Sequence, residues 1–272
     1  MRTADLPAAM PARRSGGRWF GLALLGLLLG FGLLGPLLVT AGPVQQDLAA
    51  ALTPPGAAYW LGTDHLGRSM LARLAHATRL SLAVAGLTVA VASVGGSLLG
   101  LLAAWRGGWL DRLLGMAADM VLALPGLLLV LLVVAFAPGQ VLPLALGIAL
   151  AQWVEYFRVA RAQGRSLLAR PQVEAARLLG FGPGHILRRL VLPELAPLLG
   201  TLAAFGLGSA VLIIATLSFV SVGIRPPTAE LGSMTTELLP YMAEAPFQAL
   251  LPAVVVVLIV LGSLLLAGRG AR

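Results

Sequence analysis

Long apolar runs, separated by short segments that hold almost all of the arginines, constrain this chain more than any other feature. A transmembrane helix needs about 20 apolar residues to cross about 30 Å of hydrocarbon. Runs of about this length lie at Trp19–Thr40, Leu80–Trp105, Leu113–Phe136, Val141–Tyr156, Pro197–Val222 and Phe247–Leu266. Only 11% of the residues are charged, whereas a soluble domain has about 25%. We therefore predict an all-α membrane protein with six transmembrane helices.

The distribution of arginine predicts the orientation of these helices. All 19 basic residues are Arg, and with the N-terminus inside, 15 of them fall in inner segments and four in outer ones. Because cytoplasmic loops are enriched in basic residues, we expect both termini in the cytoplasm. Residues 1–18 form a cytoplasmic N-terminus, and residues 19–42 form a retained first helix, since the run exceeds the about 7–15 residues of a signal-peptide core. Cleavage as a signal peptide is the alternative.

Three segments between the apolar runs are too long or too patterned to be simple linkers. The outer segment 43–79 places Leu66, Met70, Leu71 and Leu74 at helical spacing, which predicts an amphipathic helix at the membrane surface. Residues 80–272 then form a core of five transmembrane helices. This core includes the inner loop 158–196 and the outer loop 223–246.

The composition excludes several functional classes. The chain has no cysteine, and therefore no disulfide, thiolate metal site or cysteine nucleophile. It has no lysine, so a Gly-x4-Gly-Lys-Ser/Thr phosphate loop for ATP is absent. The arginines cluster between apolar runs rather than on one face, which disfavours nucleic acid. We expect a non-catalytic membrane subunit that binds no cofactor and no permanent metal.

The inner loop 158–196 differs in chemistry from the rest of the chain. Pro171 suits the first position of a helix, Glu174 then lies in its first turn, and Gly180 suits its end. A second helical stretch at Ile186–Val191 is expected to stop at Pro193. The periodicity alone is compatible with a basic linker on the membrane surface or with an exposed helix on the cytoplasmic side.

The spacing of this loop resembles the Glu-Ala-Ala loop of permease subunits in bacterial ABC importers, in which Glu-Ala-Ala is followed by Gly and then by Leu-Pro. The resemblance implies the type I ABC importer permease fold and a location in the bacterial inner membrane. It also implies a second homologous permease, two ATP-binding subunits that hold ATP and Mg, and an extracytoplasmic solute-binding protein. The residues implied in coupling to the ATPase are Glu174, Ala175, Ala176, Gly180, His185, Arg188, Leu192 and Pro193. Arg177, Arg188 and Arg189 are expected to contact the ATPase or anionic membrane lipid.

Four further motifs narrow the resemblance to the second permease of the dipeptide, oligopeptide and nickel group. They occur in the order expected of that group, at 60–68, 107–111, 218–223 and 226–232. Ser69, where the group usually has Asp, and Glu194, where it often has Asn, depart from the pattern. The resemblance implies outer residues that face the binding protein: Asp64, His65, Gly67, Arg68, Pro227 and Glu230.

Four residues are candidates for lining a transport pathway, each with a structural alternative. Asp119 and Glu155 are charged groups within the predicted spans, where charge is costly. Pairing of Asp119 with an inner-loop Arg, and of Glu155 with Arg158 or Arg161, is the simpler expectation. Met234 and Met242 could contact a soft metal, although packing within the outer loop is the simpler expectation for both.

The substrate is the least determined property. The outer motifs look slightly more like those of nickel permeases, so nickel or a nickel chelate is the first expectation and di- or oligopeptides are the alternative. An ion-coupled secondary transporter is a more remote alternative, because it would need paired ionisable groups near the middle of the membrane.

Overall fold

The computed structural model describes residues 16–39 and 42–268, and within these ranges the chain is helical. It contains one isolated β-bridge, between Thr63 and Ser69, and no strand. The helices are α1 (Gly16–Leu38), α2 (Met70–Arg106), α3 (Gly108–Leu122), α4 (Gly126–Ala135), α5 (Val141–Leu168), α6 (Pro171–Leu178), α7 (Pro183–Ile186), α8 (Leu192–Phe219), α9 (Leu231–Leu238) and α10 (Pro246–Ala267). A short π-helical turn, Leu187–Val191, joins α7 to α8.

Four continuous helical stretches of the described chain are long and apolar enough to cross a membrane, and a fifth span is possible if α3 and α4 are counted as one. The four are α1, α2, residues 183–219 and α10. The 28-residue helix α5 does not meet the same apolar threshold. Helix α5 contains the fourth predicted span, Val141–Tyr156, and its crossing of the membrane stays a prediction. The positions of the two termini also stay predictions, because residues 1–15 and 269–272 lie outside the described ranges.

The third predicted span, Leu113–Phe136, is not one helix. The chain bends by 86° between α3 and α4, and the break falls immediately before and at Pro125. Proline lacks the N–H that a continuing helix needs, and it disfavours helical backbone in the residue before it. The apolar run hid this break because hydropathy carries no information about backbone hydrogen bonds.

The predicted amphipathic helix of the outer segment is not a separate element. It is the beginning of α2, which starts after the N-cap Ser69 and continues for 37 residues, a length of about 55 Å. Arg73 and Arg79 interrupt the apolar pattern but not the helix. The helix is therefore much longer than the about 30 Å of the hydrocarbon layer.

Helix α2 packs most closely against α5, through glycines that allow the two backbones to approach. A Cβ atom at Gly96 would lie 2.3 Å from the carbonyl oxygen of Trp153, and one at Gly100 would lie 2.5 Å from that of Phe157. Neither position can carry a side chain without separating the helices. Helices α1, α8 and α10 complete the main core around α2 and α5.

The helical stretch that was expected to stop at Pro193 continues. The π-helical turn precedes α8, and the backbone N–H of Leu192 donates to the carbonyl of Leu187, five residues earlier. In a continuous α-helix the ring of Pro193 would clash with the carbonyl four residues earlier. The wider π-helical turn that precedes Pro193 leaves room for the ring. Residues 171–191, which we call the coupling segment, are thus directly continuous with the long helix α8.

Candidate functional site

The inner loop forms a short helix, α6, with the local features that its sequence predicts. Pro171 is at its start, and Glu174 is in its first turn near the positive end of the helix dipole. Gly180 follows the helix with φ at +81°, a conformation that favours glycine. The backbone N–H of Phe181 donates to the carbonyl of Ala176, which satisfies one of the last carbonyls of the helix.

One side of this helix is attached to the membrane helices through what we call the coupling cluster. Val173 and Ala176 of α6 are buried in it. The cluster draws on α2, α5, α6, α7, the π-helical turn and α8, through Leu101, Ala160, Leu167, Val173, Ala176, Ile186, Val191 and Leu195. Displacement of α6 would therefore act on three long helices at once, because packed side chains transmit displacement rather than absorb it.

The other side of the segment presents apolar side chains to solvent. Leu178 is 85% exposed, Leu179 is 75% exposed and Phe181 is 45% exposed. We call these three residues the coupling patch. Three large apolar side chains next to one another on an aqueous surface are typical of a protein–protein contact.

Of the eight residues implied in coupling, one is buried, Ala176. The other seven are exposed: Glu174, Ala175, Gly180, His185, Arg188, Leu192 and Pro193. His185 stacks on Phe181, with the ring centroids 4.4 Å apart. Arg177 lies over the ring of Trp105 at 5.5 Å, so its guanidinium is held against α2.

On the outer side, four charged side chains form a buried group that we call the outer ion cluster. Asp64 Oδ2 accepts from Arg68 Nε at 2.6 Å and from Arg73 Nη1 at 2.5 Å. Glu237 Oε2 lies 2.7 Å from Arg68 Nη2 and 2.8 Å from Arg73 Nη1. Asp64 and Arg73 are 0% exposed, and Glu237 is 13% exposed. The cluster fastens the outer segment to both α2 and α9.

The net charge of this cluster is balanced, and Asp64 is held in its ionised form. Burial alone would raise the pKa of Asp64. The backbone N–H of Arg68 and the guanidiniums of Arg73 and Arg68 outweigh that effect and lower the pKa below its usual value. Sequence reasoning did not place Arg73 or Glu237 in this group. Glu237 is far from the other three residues along the chain, and no local spacing connects Arg73 with it.

Most of the residues that are expected to face the binding protein are buried within this chain, and their role there stays a prediction. Asp64 and Arg68 are buried, and Gly67, with φ at +70°, lies so close to Asp47 that no side chain fits there. Glu230 is also buried, where its carboxylate accepts from the backbone N–H groups of Gly232 and Ser233 at the start of α9. The side chains of Asp64, Arg68 and Glu230 thus hold the outer segments together beneath the surface of the chain.

The remaining two residues of that group have different surroundings. Pro227 is exposed, next to the cis Pro226–Pro227 peptide bond. His65 is half-buried and stacks on Tyr241, with the ring centroids 5.2 Å apart. Of the six residues that are expected to face the binding protein, Pro227 is thus the exposed one.

Asp64, His65 and Glu237 place one possible ligand atom each within 4.8 Å of the others. Both carboxylates are already paired with the guanidiniums of Arg68 and Arg73. A divalent cation there would meet two fixed positive charges in a poorly solvated site. The geometry therefore does not favour a metal at this place.

Of the four candidates for lining a transport pathway, the two charged ones differ in their ion pairs. Asp119 pairs at 2.8 Å with Arg158, the first residue of the inner loop. The expected ion pair of Glu155 with Arg158 or Arg161 is not formed, and the exposed Glu155 has no ion pair within the described ranges. Arg161 and Arg165 instead pair with Asp111 of α3.

Met234 and Met242 pack within the protein. Met234 is fully buried in the main core, and Met242 is half-buried against it. Both side chains thus take part in the packing of the main core.

The chain resembles known transport proteins over nearly its whole length. Residues 96–269 match the family described as "Binding-protein-dependent transport system inner membrane component". The dipeptide transport system permease protein DppC of Haemophilus influenzae is 32% identical over 96% of this chain and 90% of its own length. The di/tripeptide permease protein DppC of Pseudomonas aeruginosa is 35% identical, over 93% and 85% respectively.

A third relative and a solved structure extend this comparison. The glutathione transport system permease protein GsiD of Pectobacterium atrosepticum is 34% identical over 80% of this chain and 72% of its own length. A chain of the MetNI methionine ABC transporter, in an inward-facing conformation, superposes with a TM-score of 0.52 at 20% identity. The superposition covers 71% of this chain and 94% of that one, and it shows the fold alone.

Proposed function

Because the chain belongs to the family of binding-protein-dependent transport system inner membrane components, we propose that the solute it helps to import is a di- or oligopeptide. The chain itself is a non-catalytic permease subunit of an ABC importer in the bacterial inner membrane, with the type I importer fold. The observation that carries the proposal is the similarity, at 32% and 35% identity over almost the entire chain, to permeases named for dipeptides and for di- and tripeptides.

The first expectation, nickel, finds no support in these relatives. The geometry also gives no reason to retain it. Met234 is buried, and the two carboxylates near His65, those of Asp64 and Glu237, are neutralised by two arginines. A peptide needs no metal ligands in the membrane subunit, so the described residues accommodate the peptide proposal without further sites.

We further propose that the coupling patch is the surface on which an ATP-binding subunit docks. Closure of the ATP-binding subunits would press on Leu178, Leu179 and Phe181. The coupling cluster would pass this displacement to α2, α5 and α8 and change the access of the pathway. The exposure of the patch and the burial of the opposite side of α6 support this assignment.

The remaining partners follow the same scheme. A second homologous permease would complete the pathway, two ATP-binding subunits would hold ATP and Mg, and an extracytoplasmic binding protein would deliver the peptide. On the outer side, exposed residues such as Trp60 (74% exposed) and Pro227 would meet the binding protein. The buried outer ion cluster would hold that surface in shape.

The substrate is tested by uptake in cells that contain or lack the gene. We expect uptake of a radiolabelled dipeptide to fall on deletion, to return with the wild-type gene, and to be competed by unlabelled tripeptide. Uptake of labelled nickel serves as the second measurement and should be unchanged. Loss of nickel uptake with normal dipeptide uptake would contradict the peptide assignment and leave the permease class intact.

A further inference from the structure

A cavity of about 350 Å³ lies between α3 and α5, near the end of α5 that leads into the coupling segment. It is separate from the coupling patch and from the outer ion cluster. Its walls hold three of the chain's guanidiniums, and the lining residues are Gly115, Ala118, Asp119, Phe157, Arg158, Arg161, Ala162 and Arg165. The transport scheme above gives these residues no role.

The central guanidinium of the cavity is rigidly placed. Arg161 donates through Nε and Nη2 to the two carboxylate oxygens of Asp111, at 2.5 and 2.7 Å. Asp111 is only 6% exposed. The Cζ of Arg161 also lies 5.8 Å from the centroid of the Phe157 ring. A cation fixed in this way loses little conformational freedom when it binds an anion.

The other two guanidiniums flank it and keep free donors. Arg158 is 55% exposed and Arg165 is 49% exposed, and each uses only Nη2, the first on Asp119 and the second on Asp111. Their Nε and Nη1 atoms make no hydrogen bond to other described residues. Three guanidiniums face two carboxylates, so the cavity keeps a net positive charge while having donors to spare.

An apolar surface adjoins this charged cavity on α3. Trp109, Leu113, Met116 and Met120 are spaced to share one face of the helix, and they are 74%, 49%, 57% and 68% exposed. Exposed tryptophan is typical of the boundary between hydrocarbon and head groups. The exposed Arg112 lies beside this apolar face, on the side towards Asp119. The same helix thus offers contacts for acyl chains and, next to them, positive charge.

We propose that the cavity binds the phosphate head group of an anionic glycerophospholipid from the cytoplasmic leaflet, with its acyl chains along the apolar face of α3. Guanidiniums bind phosphate through paired N–H···O contacts, and basic cavities between helices on the cytoplasmic side suit such head groups. The proposal rests on the orientation given above, with the coupling segment in the cytoplasm. It does not depend on which solute is transported.

The test is native mass spectrometry of the complete importer complex in detergent, with equal concentrations of phosphatidylglycerol and phosphatidylethanolamine. We expect the wild-type complex to retain phosphatidylglycerol preferentially. The substitutions Arg158→Gln and Arg165→Gln should each lower that preference by about fivefold, because each removes one surface cation. Both leave the Arg161–Asp111 pair intact. The matched control, Arg225→Gln, removes one exposed charge outside the cavity and should leave the preference unchanged.

A second variant removes the space and keeps the charge. A Cβ atom at Gly115 would have its nearest neighbours, the Nη atoms of Arg161, at 3.7 Å, which is ordinary van der Waals contact. Gly115 and Arg161 both line the cavity, so a longer side chain at Gly115 would occupy its space. Gly115→Leu should therefore abolish the preference in a complex that still elutes as one species. A soluble ester, glycerol 3-phosphate, is added as a competitor to distinguish a lipid from a free phosphate.

Four results would overturn the proposal. They are equal retention of the two lipids by the wild-type complex, a loss in the control variant as large as in Arg158→Gln, full retention in Gly115→Leu, and displacement by millimolar glycerol 3-phosphate. The last would assign the cavity to a soluble phosphate ester. Retention of phosphatidylglycerol that withstands glycerol 3-phosphate and is lost in the cavity variants supports the lipid site.

Discussion

Replacement of Arg73 by Met should destabilise the protein strongly, although the residue is a charged group in a membrane protein. The side chain is 0% exposed and holds Asp64 at 2.5 Å and Glu237 at 2.8 Å. Methionine fills a similar volume but leaves one guanidinium, that of Arg68, to neutralise two carboxylates. Removing one partner of a buried ion pair costs about 3–5 kcal/mol, because the other charge stays buried without compensation.

The expected decrease in melting temperature follows from this cost. For chains of about this size, 1 kcal/mol corresponds to roughly 2–4 °C, so the decrease should be roughly 6 to 20 °C. It would be measured on the purified importer complex in detergent by fluorescence-detected thermal unfolding. Arg225→Met is the control, since Arg225 is exposed and donates to one backbone carbonyl, and it should shift the midpoint by little.

A double substitution tests the cause of this destabilisation. Glu237→Gln removes one carboxylate, so the variant with both Arg73→Met and Glu237→Gln has a balanced charge again, with Asp64 and Arg68 as the remaining pair. We expect the double variant to be less destabilised than the sum of the two single ones. Strict additivity, or a decrease of only 1–2 °C in Arg73→Met, would refute the argument.

The remaining predictions concern pH, helix packing, the outer loop and coupling. The pKa of Asp64 is lowered in the folded protein, so its ionised carboxylate stabilises the fold above the unfolded pKa of about 3.9. This stabilisation is lost as the pH falls through the lower pKa of the folded state. The difference in melting temperature between wild type and Asp64→Asn should therefore shrink in acid, and a constant difference would contradict this. Gly96→Ala should cost about 1–3 kcal/mol in thermal unfolding, because its Cβ would lie 2.3 Å from a backbone oxygen of α5, whereas the neighbouring Gly95→Ala, with open space, should be nearly neutral. Gly67→Ala should prevent accumulation of folded protein on a size-exclusion column, since its Cβ would lie 1.7 Å from the carbonyl oxygen of Asp47; normal yield would show that the loop adapts. Leu179→Glu should reduce both ATPase binding in co-purification and peptide uptake, while Leu179→Met, which keeps the apolar contact, should restore both.

The sequence predicts the helical class, most of the spans and the form of the coupling segment because these depend on local information. Apolar length, arginine placement and the proline and glycine positions around α6 act over a few residues each. Pro171 at the start and Gly180 beyond the end of α6 are examples in which the local preference of the residue decides the structure. Hydropathy does not reveal the break at Pro125. At Pro193 the proline rule is what fails, because the preceding π-helical turn lets the helix continue.

The outer site is harder to predict because its partners are distant in the chain. Arg68 and Glu237 are 169 residues apart, and only the folded chain brings them together. An outer motif with two charges and a histidine looks like a surface that meets a ligand. The structure shows instead that its charges compensate one another inside the protein, which the pattern of residue types alone does not reveal.

Because α2 is unbroken over 37 residues, a tilt of the helix near one end displaces the other end. Arg73 of the outer ion cluster and Leu101 of the coupling cluster lie on the same helix, roughly 42 Å apart along its axis. The close contact with α5 at Gly96 and Gly100 lies much nearer to Leu101 than to Arg73, and α2 would tilt about this contact. A tilt of about 5° at that contact would move the Arg73 end by about 3 Å. A small movement at the Leu101 end of α2 would thus become, at the Arg73 end, a displacement as long as the hydrogen bonds that hold the outer segment in place.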